Sequence, residues 1–355
     1  MKKLVLKKAE VSSTGRVYRI PYEQVLNAAQ LSAVMHTHGP ALVLAGAGTG
    51  KTRTLTYRVA RLVEDGVDPS SILLLTFTRK ASAEMLRRAS SLLDGRCERV
   101  GGGTFHSFAF SVLRRFGLPS ADVPSPHGDE HRPTTVIDQS DAQDVMNLVR
   151  GRFDVAKLKK RFPQKSTLHD MYSKSVNTGT PLADVILQHY SQFVDETEKI
   201  GEVIRAYNDY KRANGLFDYD DLLLYLLAMT KHEEIGPVLR GQYQFVMVDE
   251  YQDTNKLQHN IIMGLSGSRG NVMVVGDDAQ SIYSFRGADV KNIHSVPEAF
   301  ENCKVIRLEQ NYRSTQPVLD VCNSVIREAP NMFEKELFIN IKRATAIAVR
   351  NATDP

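Results

Sequence analysis

The sequence predicts an α/β fold, a parallel sheet flanked by helices, with a mainly helical subdomain inserted into it. Three observations carry that expectation. Residues 41–44 (ALVL) form an apolar run that leads into glycines Gly46, Gly48 and Gly50, then Lys51-Thr52 and a stretch able to continue as helix. Residues 72–77, 245–248 and 272–275 are similar runs that alternate with helical patterns, and near-continuous apolar runs mark strands covered on both faces. From residue 138 to about residue 214 the strand signal almost vanishes while helix starts recur.

The first of these stretches is a phosphate loop between a strand and a helix. Backbone N–H groups of Ala45, Gly46, Ala47, Gly48, Thr49 and Gly50, added to the positive end of the helix dipole, would form a concave anion site. Lys51 would then reach the β- and γ-phosphates, and the Thr52 hydroxyl would hold Mg²⁺. The usual spacing is G-x-x-x-x-G-K-[ST]; here Ala45 fills the first glycine place, where a Cβ tolerates positive φ poorly. A Gly-rich turn that binds nothing is the competing reading, and the preceding strand with Gly50-Lys51-Thr52 in register favours nucleotide. The loop alone does not separate kinases, GTPases and motor ATPases.

At 355 residues the chain is long enough for two or three domains, and 42% hydrophobic with 24% charged residues is ordinary for a soluble globular protein. A net charge of +4 permits nucleic-acid binding without arguing for it. Cys97, Cys303 and Cys322 have no metal or disulfide spacing, which fits a reducing cytoplasm. The apolar run at residues 4–6 is too short for a signal peptide, and no stretch approaches the ~20 apolar residues of a membrane span.

In chain order, Val17, Tyr18 and Ile20 suggest a short edge hairpin. Residues 26–34 have helical apolar spacing, and Gln30 within them is either a solvated helix glutamine or an amide presented to an adenine edge. Residues 80–93 read as a helix, and 100–104 as a Gly-rich strand leading to Phe105-His106. Residues 118–135, rich in Pro, Ser and His, read as a flexible linker. Thr180 and Pro181 read as a cap and first-turn proline, with Ile186, Tyr190 and Phe193 following at helical spacing. Lys157, Lys159, Lys160, Arg161 and Lys165 form a basic cluster, read as a solvated face in preference to a phosphate contact.

The chemistry gathers at strand ends. Asp249, directly after an apolar run, suits Mg²⁺, which prefers carboxylate and water oxygens. Glu250 beside it could orient and deprotonate an attacking water, which favours water-activating ATPases over phosphotransferases.

The blocks TFTRKASAEM (residues 76–85), TFHSFAFSVLRR (104–115), FDYDDLL (217–223), VDEYQDTN (248–255), VVGDDAQSIYSFRGAD (274–289) and LEQNYRST (308–315) resemble the UvrD/Rep/PcrA family of superfamily 1 DNA helicases. The order and spacing match from about Leu26 to Arg327. The resemblance implies RecA-like domains that use ATP and Mg²⁺ to translocate 3′ to 5′ on single-stranded DNA, acting at duplex–single-strand junctions in repair or replication restart, with repair or replication proteins as partners. It implies that Gln30 reads adenine, that Lys51 and Thr52 serve phosphate and metal, and that Asp249 holds metal while Glu250 is the base. Gln280 matches a γ-phosphate sensor, Arg313 an arginine that reaches the γ-phosphate, Tyr312 a tyrosine packed on the base, and Arg53 a position near the nucleotide. Phe77, Tyr283 and Phe285 match DNA-stacking positions, Phe285 replacing the tryptophan of many relatives, and Thr76, His106 and Arg286 match residues near the DNA track. Plain core packing is the alternative for Phe77. Arg79 departs from the family's asparagine.

The implied organisation is an ATPase domain in two parts, 1–116 and 215–300, a helical insertion at 117–214, and an incomplete second RecA-like domain from 301 to 355. Later family blocks are not visible after about Arg327, so the expectation is a truncated chain that binds ATP·Mg²⁺, turns over slowly and does not unwind. A nucleotide-regulated DNA-binding module without motor action and the motor portion of a helicase-nuclease are the alternatives.

Overall fold

The structure, a computed structural model, describes residues 18–116, 135–153, 162–267, 270–284, 287–329 and 332–340. Its strands are β1 (Ala41–Ala45), β2 (Ile72–Thr76), β3 (Gly101–Thr104), β4 (Thr135–Val136), β5 (Leu216–Phe217), β6 (Phe245–Val248), β7 (Val272–Gly276) and β8 (Lys304–Leu308). Six of them form one parallel sheet in the order β3-β2-β6-β7-β1-β8. Because side chains alternate along a strand, Leu42 and Leu44 enter the apolar layer on one face while Ala41, Val43 and Ala45 enter the layer on the other. Every residue of β1, β2, β6 and β7 is buried, as continuous apolar runs require when helices cover both faces.

The strand expected at Lys304–Leu308 forms, but it does not open a separate sheet. It pairs in parallel with β1, Val43 opposite Ile306, and becomes the sixth strand of the first sheet. A backbone edge left by β1 is thereby satisfied, and Ile306 and Leu308 join the same apolar layer as Val43.

Helices at Gln139–Arg150, Lys165–Thr178, Leu182–His189 and Thr197–Ala213 fill the inserted region and have their own apolar cluster around Met146, Leu168, Met171, Ile186, Val203 and Tyr207. The short β4–β5 pair ties the two ends of this region together. The expected cap at Thr180 is not used: the helix begins at Leu182 after Pro181 with no side-chain cap, and it stops at His189, so Tyr190 lies at the junction and Phe193 in the following 3₁₀ segment Ser191–Glu196. The block at 217–223 has a structural reason. Asp218 caps the helix Tyr219–Lys231 in a reciprocal box with Asp221, and both carboxylates hold Lys211, which is 2% exposed, at 2.5 and 2.7 Å.

Residues of the expected edge hairpin before Tyr18, the 118–134 part of the linker, and Lys157, Lys159, Lys160 and Arg161 lie outside the described residues. Lys165 pairs with Asp144. Among the described residues no helix is long and apolar enough to cross a membrane.

Candidate active site at the carboxyl ends of the strands

The loop from Gly46 to Gly50 leaves β1 at its carboxyl end and turns into the helix Lys51–Glu64. Two of its glycines are required by conformation: Gly48 has φ +78° and Gly50, the helix cap, φ +93°, where an L side chain is strained. Close approach adds a second reason, since a Cβ on Gly50 would lie 2.6 Å from Gln30 Nε2 and one on Gly48 2.7 Å from Arg313 Cβ. Ala45 is tolerated at the first motif position because it is still the last residue of β1, fully buried and extended.

Lys51 leads the helix and is 9% exposed; its Nζ donates to Glu250 Oε2 at 2.7 Å. Glu250 is the second residue after β6, in a left-handed conformation at φ +50°, and caps the short 3₁₀ turn Tyr251–Asp253. Asp249, 5% exposed, has a buried Oδ1 with no hydrogen-bond partner. Burial first, then the Glu250 charge, pushes its carboxyl up to about 7 against the opposing pull of Lys51. Asp253 is pushed up to about 6 by burial and by Glu250. A partnerless buried carboxylate oxygen at Asp249 and a half-buried hydroxyl at Thr52, the second residue of the phosphate-loop helix, are oxygen donors of the kind that fits Mg²⁺. The phosphate loop fits a phosphate chain for the reasons already given.

At the end of β7, Asp277 and Asp278 are buried. Gln280 Nε2 donates to Asp277 Oδ2, and the nearly buried Lys335 donates to both carboxylates. Burial pushes the Asp278 carboxyl up, but Lys335, the Phe333 N–H and His294 outweigh it and hold it below the ordinary range. After β8, the Asn311 amide donates to the Ala47 carbonyl at 2.6 Å and Tyr312 N to the Gly48 carbonyl at 2.9 Å, so this turn lies on the phosphate loop. Leu337 packs there too, 2.6 Å from where a Gly46 Cβ would stand.

The structure therefore brings Lys51, Asp249, Glu250 and Gln280, with Thr52, Arg313 and Tyr312, to one end of the sheet. Other expected residues are engaged differently. The Gln30 amide is 1% exposed and already bonded on both sides, Nε2 to the Thr49 carbonyl at 2.9 Å and Oε1 to Asn27 N at 3.3 Å, so here it braces the phosphate loop. Arg53 donates to the Val25 carbonyl and lies over the Tyr57 ring. Tyr312 is exposed, its hydroxyl accepting from Asn27 Nδ2 at 2.9 Å.

For the DNA-facing set, Phe77 and Tyr283 stack on each other with centroids 5.3 Å apart, two aromatic groups from sequence positions far apart meeting beyond the end of β2. Thr76 is buried and spends its hydroxyl on the Thr78 carbonyl. His106 packs edge-on to Tyr219, and burial lowers its pKa, which keeps it neutral. Phe285 and Arg286 lie outside the described residues. Sequence reasoning missed Gln252, Asp277, Asn311 and Lys335. Gln252, Asp277 and Asn311 stand inside quoted motif blocks, whereas nothing in the local sequence marks Lys335.

The profile of the family described as UvrD/REP helicase N-terminal domain matches residues 26–301. The chain belongs to the UvrD/REP helicase family. Among curated relatives it is 36% identical over 304 residues to the ATP-dependent DNA helicase PcrA of Staphylococcus epidermidis, covering 85% of this chain and 40% of that protein. It is 35% identical over 321 residues to PcrA of Bacillus subtilis, covering 88% and 41%. It is 34% identical over 339 residues to a probable DNA helicase II homolog of Rickettsia conorii, covering 91% and 48%. This UvrD/REP chain thus spans less than half the length of those relatives.

Proposed function

We propose that this chain is the nucleotide-handling part of an ATP-dependent DNA helicase or translocase of the bacterial cytoplasm, which moves 3′ to 5′ on single-stranded DNA and opens duplex–single-strand junctions during repair or replication restart. The observation that carries the reading is the convergence of the phosphate-loop lysine with the strand-end carboxylates, Lys51 Nζ to Glu250 Oε2 at 2.7 Å. Residues 1–116 and 215–300 with β8 make one ATPase domain, and 117–214 are its insertion.

In this reading the loop N–H groups of Ala45 to Thr52 cradle the phosphates of ATP, and Thr52 with Asp249 holds Mg²⁺. Bound Mg²⁺ supplies neutralisation of charge on the β- and γ-phosphate oxygens. Lys51 exchanges its bond to Glu250 for the phosphates. Released, the Glu250 carboxylate accepts the proton of the attacking water, while Gln280 and Arg313 meet the γ-phosphate. Gln30, Arg53 and Tyr312 border the nucleoside. Phe77 and Tyr283, with Phe285, grip bases by their faces without reading sequence, supported by Thr76, His106 and Arg286.

The test, on this chain and on the full-length product of its gene, is ATP hydrolysis with and without single-stranded DNA, and, for the full-length product, strand displacement from duplexes tailed at the 3′ or the 5′ end. Expected are DNA-stimulated turnover lost in Glu250→Gln, with nucleotide still bound, and preference for the 3′ tail. Unchanged hydrolysis by Glu250→Gln would remove that residue from the role of base.

A further inference from the structure

We propose that Gln252 is a positioning residue: it aims the Glu250 carboxylate and links it to the 277–283 turn, so that nucleotide at the phosphate loop is felt at the Phe77–Tyr283 pair. The inference rests on the ATPase reading above and deepens it.

Gln252 is 2% exposed and stands between the ends of β6 and β7. Its Nε2 donates to Glu250 Oε2 at 2.9 Å, the same oxygen that Lys51 holds at 2.7 Å. Its Oε1 accepts from the backbone N–H of Asp277 at 2.9 Å, and its own carbonyl accepts from Ser281 Oγ at 3.2 Å. A side-chain amide can donate to a carboxylate and accept from a peptide N–H at once; a carboxylate of the same shape cannot, and asparagine is one carbon shorter.

The backbone is shaped around this amide. A Cβ on Gly276 would lie 2.6 Å from Gln252 Oε1 and 3.3 Å from Gln252 N, so the end of β7 has room for the glutamine only because residue 276 lacks a side chain. That crowding is independent of the hydrogen bonds and points to the same fit.

The switching element is Glu250 Oε2, which has two donors here. Lys51 belongs to the phosphate loop, and phosphates compete for its ammonium. Once it leaves, the Gln252 amide is the remaining donor to that oxygen, and it holds the carboxylate facing the site. The same amide carries any shift of Glu250 into the peptide at Asp277, and the Gln252 main-chain carbonyl ties the segment to Ser281. From there the turn runs through Gln280, bonded to Asp277, to Tyr283, stacked on Phe77. A coupling claim needs an element that both sites bias, and this shared oxygen is one.

The experiment uses the full chain with Gln252→Met, which keeps the volume and removes the side-chain hydrogen bonds to Glu250, Asp253 and Asp277, and Gln252→Glu, which keeps the shape and removes the donor, as the second variant should the first fail to fold. Three quantities are read: affinity for a fluorescent ATP analogue with Mg²⁺, DNA-stimulated turnover, and amide exchange over residues 277–283 with and without that analogue. Expected are affinity within about 3-fold of wild type, turnover reduced roughly 10- to 100-fold, and loss of the nucleotide-induced slowing of exchange. Turnover within about 3-fold of wild type, or exchange that still responds to nucleotide, overturns the proposal. If the wild-type chain hydrolyses no ATP, the functional reading falls, and the exchange comparison still decides the role of Gln252.

Discussion

Replacing Asp249 by asparagine tests the electrostatics of the site directly. Burial and the neighbouring Glu250 raise the Asp249 carboxyl from its ordinary 3.8 to about 7. In the unfolded chain the group ionises near its ordinary pKa, so between about pH 4 and pH 7 the folded state binds one proton more than the unfolded state. The stability it contributes is fully present below the unfolded pKa and is lost as pH rises through the folded one. The loss runs at about 1.4 kcal/mol per pH unit and levels off above pH 7, a ceiling of about 4 kcal/mol. Asparagine carries no charge at any pH, so the stability of Asp249→Asn relative to wild type should grow by about 3 kcal/mol between pH 5 and pH 8. Denaturant unfolding of both chains in chelator, at fixed ionic strength, measures this. Adding Mg²⁺ and nucleotide at pH 8 should reverse the order, since wild type alone offers the cation a charged oxygen. A stability difference that does not change with pH would refute the idea that Asp249 is held in a costly, metal-ready state.

Three further outcomes follow from the geometry. Gly50→Ala should destabilise the chain by about 1–3 kcal/mol and weaken nucleotide binding, because its φ is +93° and the new Cβ would press on Gln30 Nε2; thermal melts with a fluorescent ATP analogue read both, and an unchanged melt would mean that the loop relaxes freely. Lys335→Met leaves Asp277 and Asp278 buried without their lysine and should cost about 3–5 kcal/mol by denaturant midpoint, a loss under about 1 kcal/mol showing that the pair is not buried in solution. Phe77→Ala should leave ATP binding intact and weaken single-stranded DNA binding by about 1–3 kcal/mol, roughly 5- to 150-fold, measured by fluorescence anisotropy; unaltered DNA affinity would return Phe77 to a packing role.

What the sequence by itself determined is whatever depends on neighbours along the chain. The apolar runs of β1, β2, β6 and β7, the glycines that allow the loop to turn into a helix, and Asp249-Glu250 at a strand end are set by local pattern, because burial on both faces and positive φ restrict residue type directly. The motif blocks extended that reading to Gln280 and Arg313. Only the tertiary structure decided the rest. The place of Lys304–Leu308 at the edge beside β1, the double engagement of the Gln30 amide, the Phe77–Tyr283 stack, and the bonds of Gln252 to Asp277 and of Lys335 to both aspartates after β7 join residues up to 263 positions apart. Such contacts follow from which strand lies beside which and how their ends are staggered. Strand order is a global solution to packing, so no window of sequence around Gln252 or Lys335 contains it.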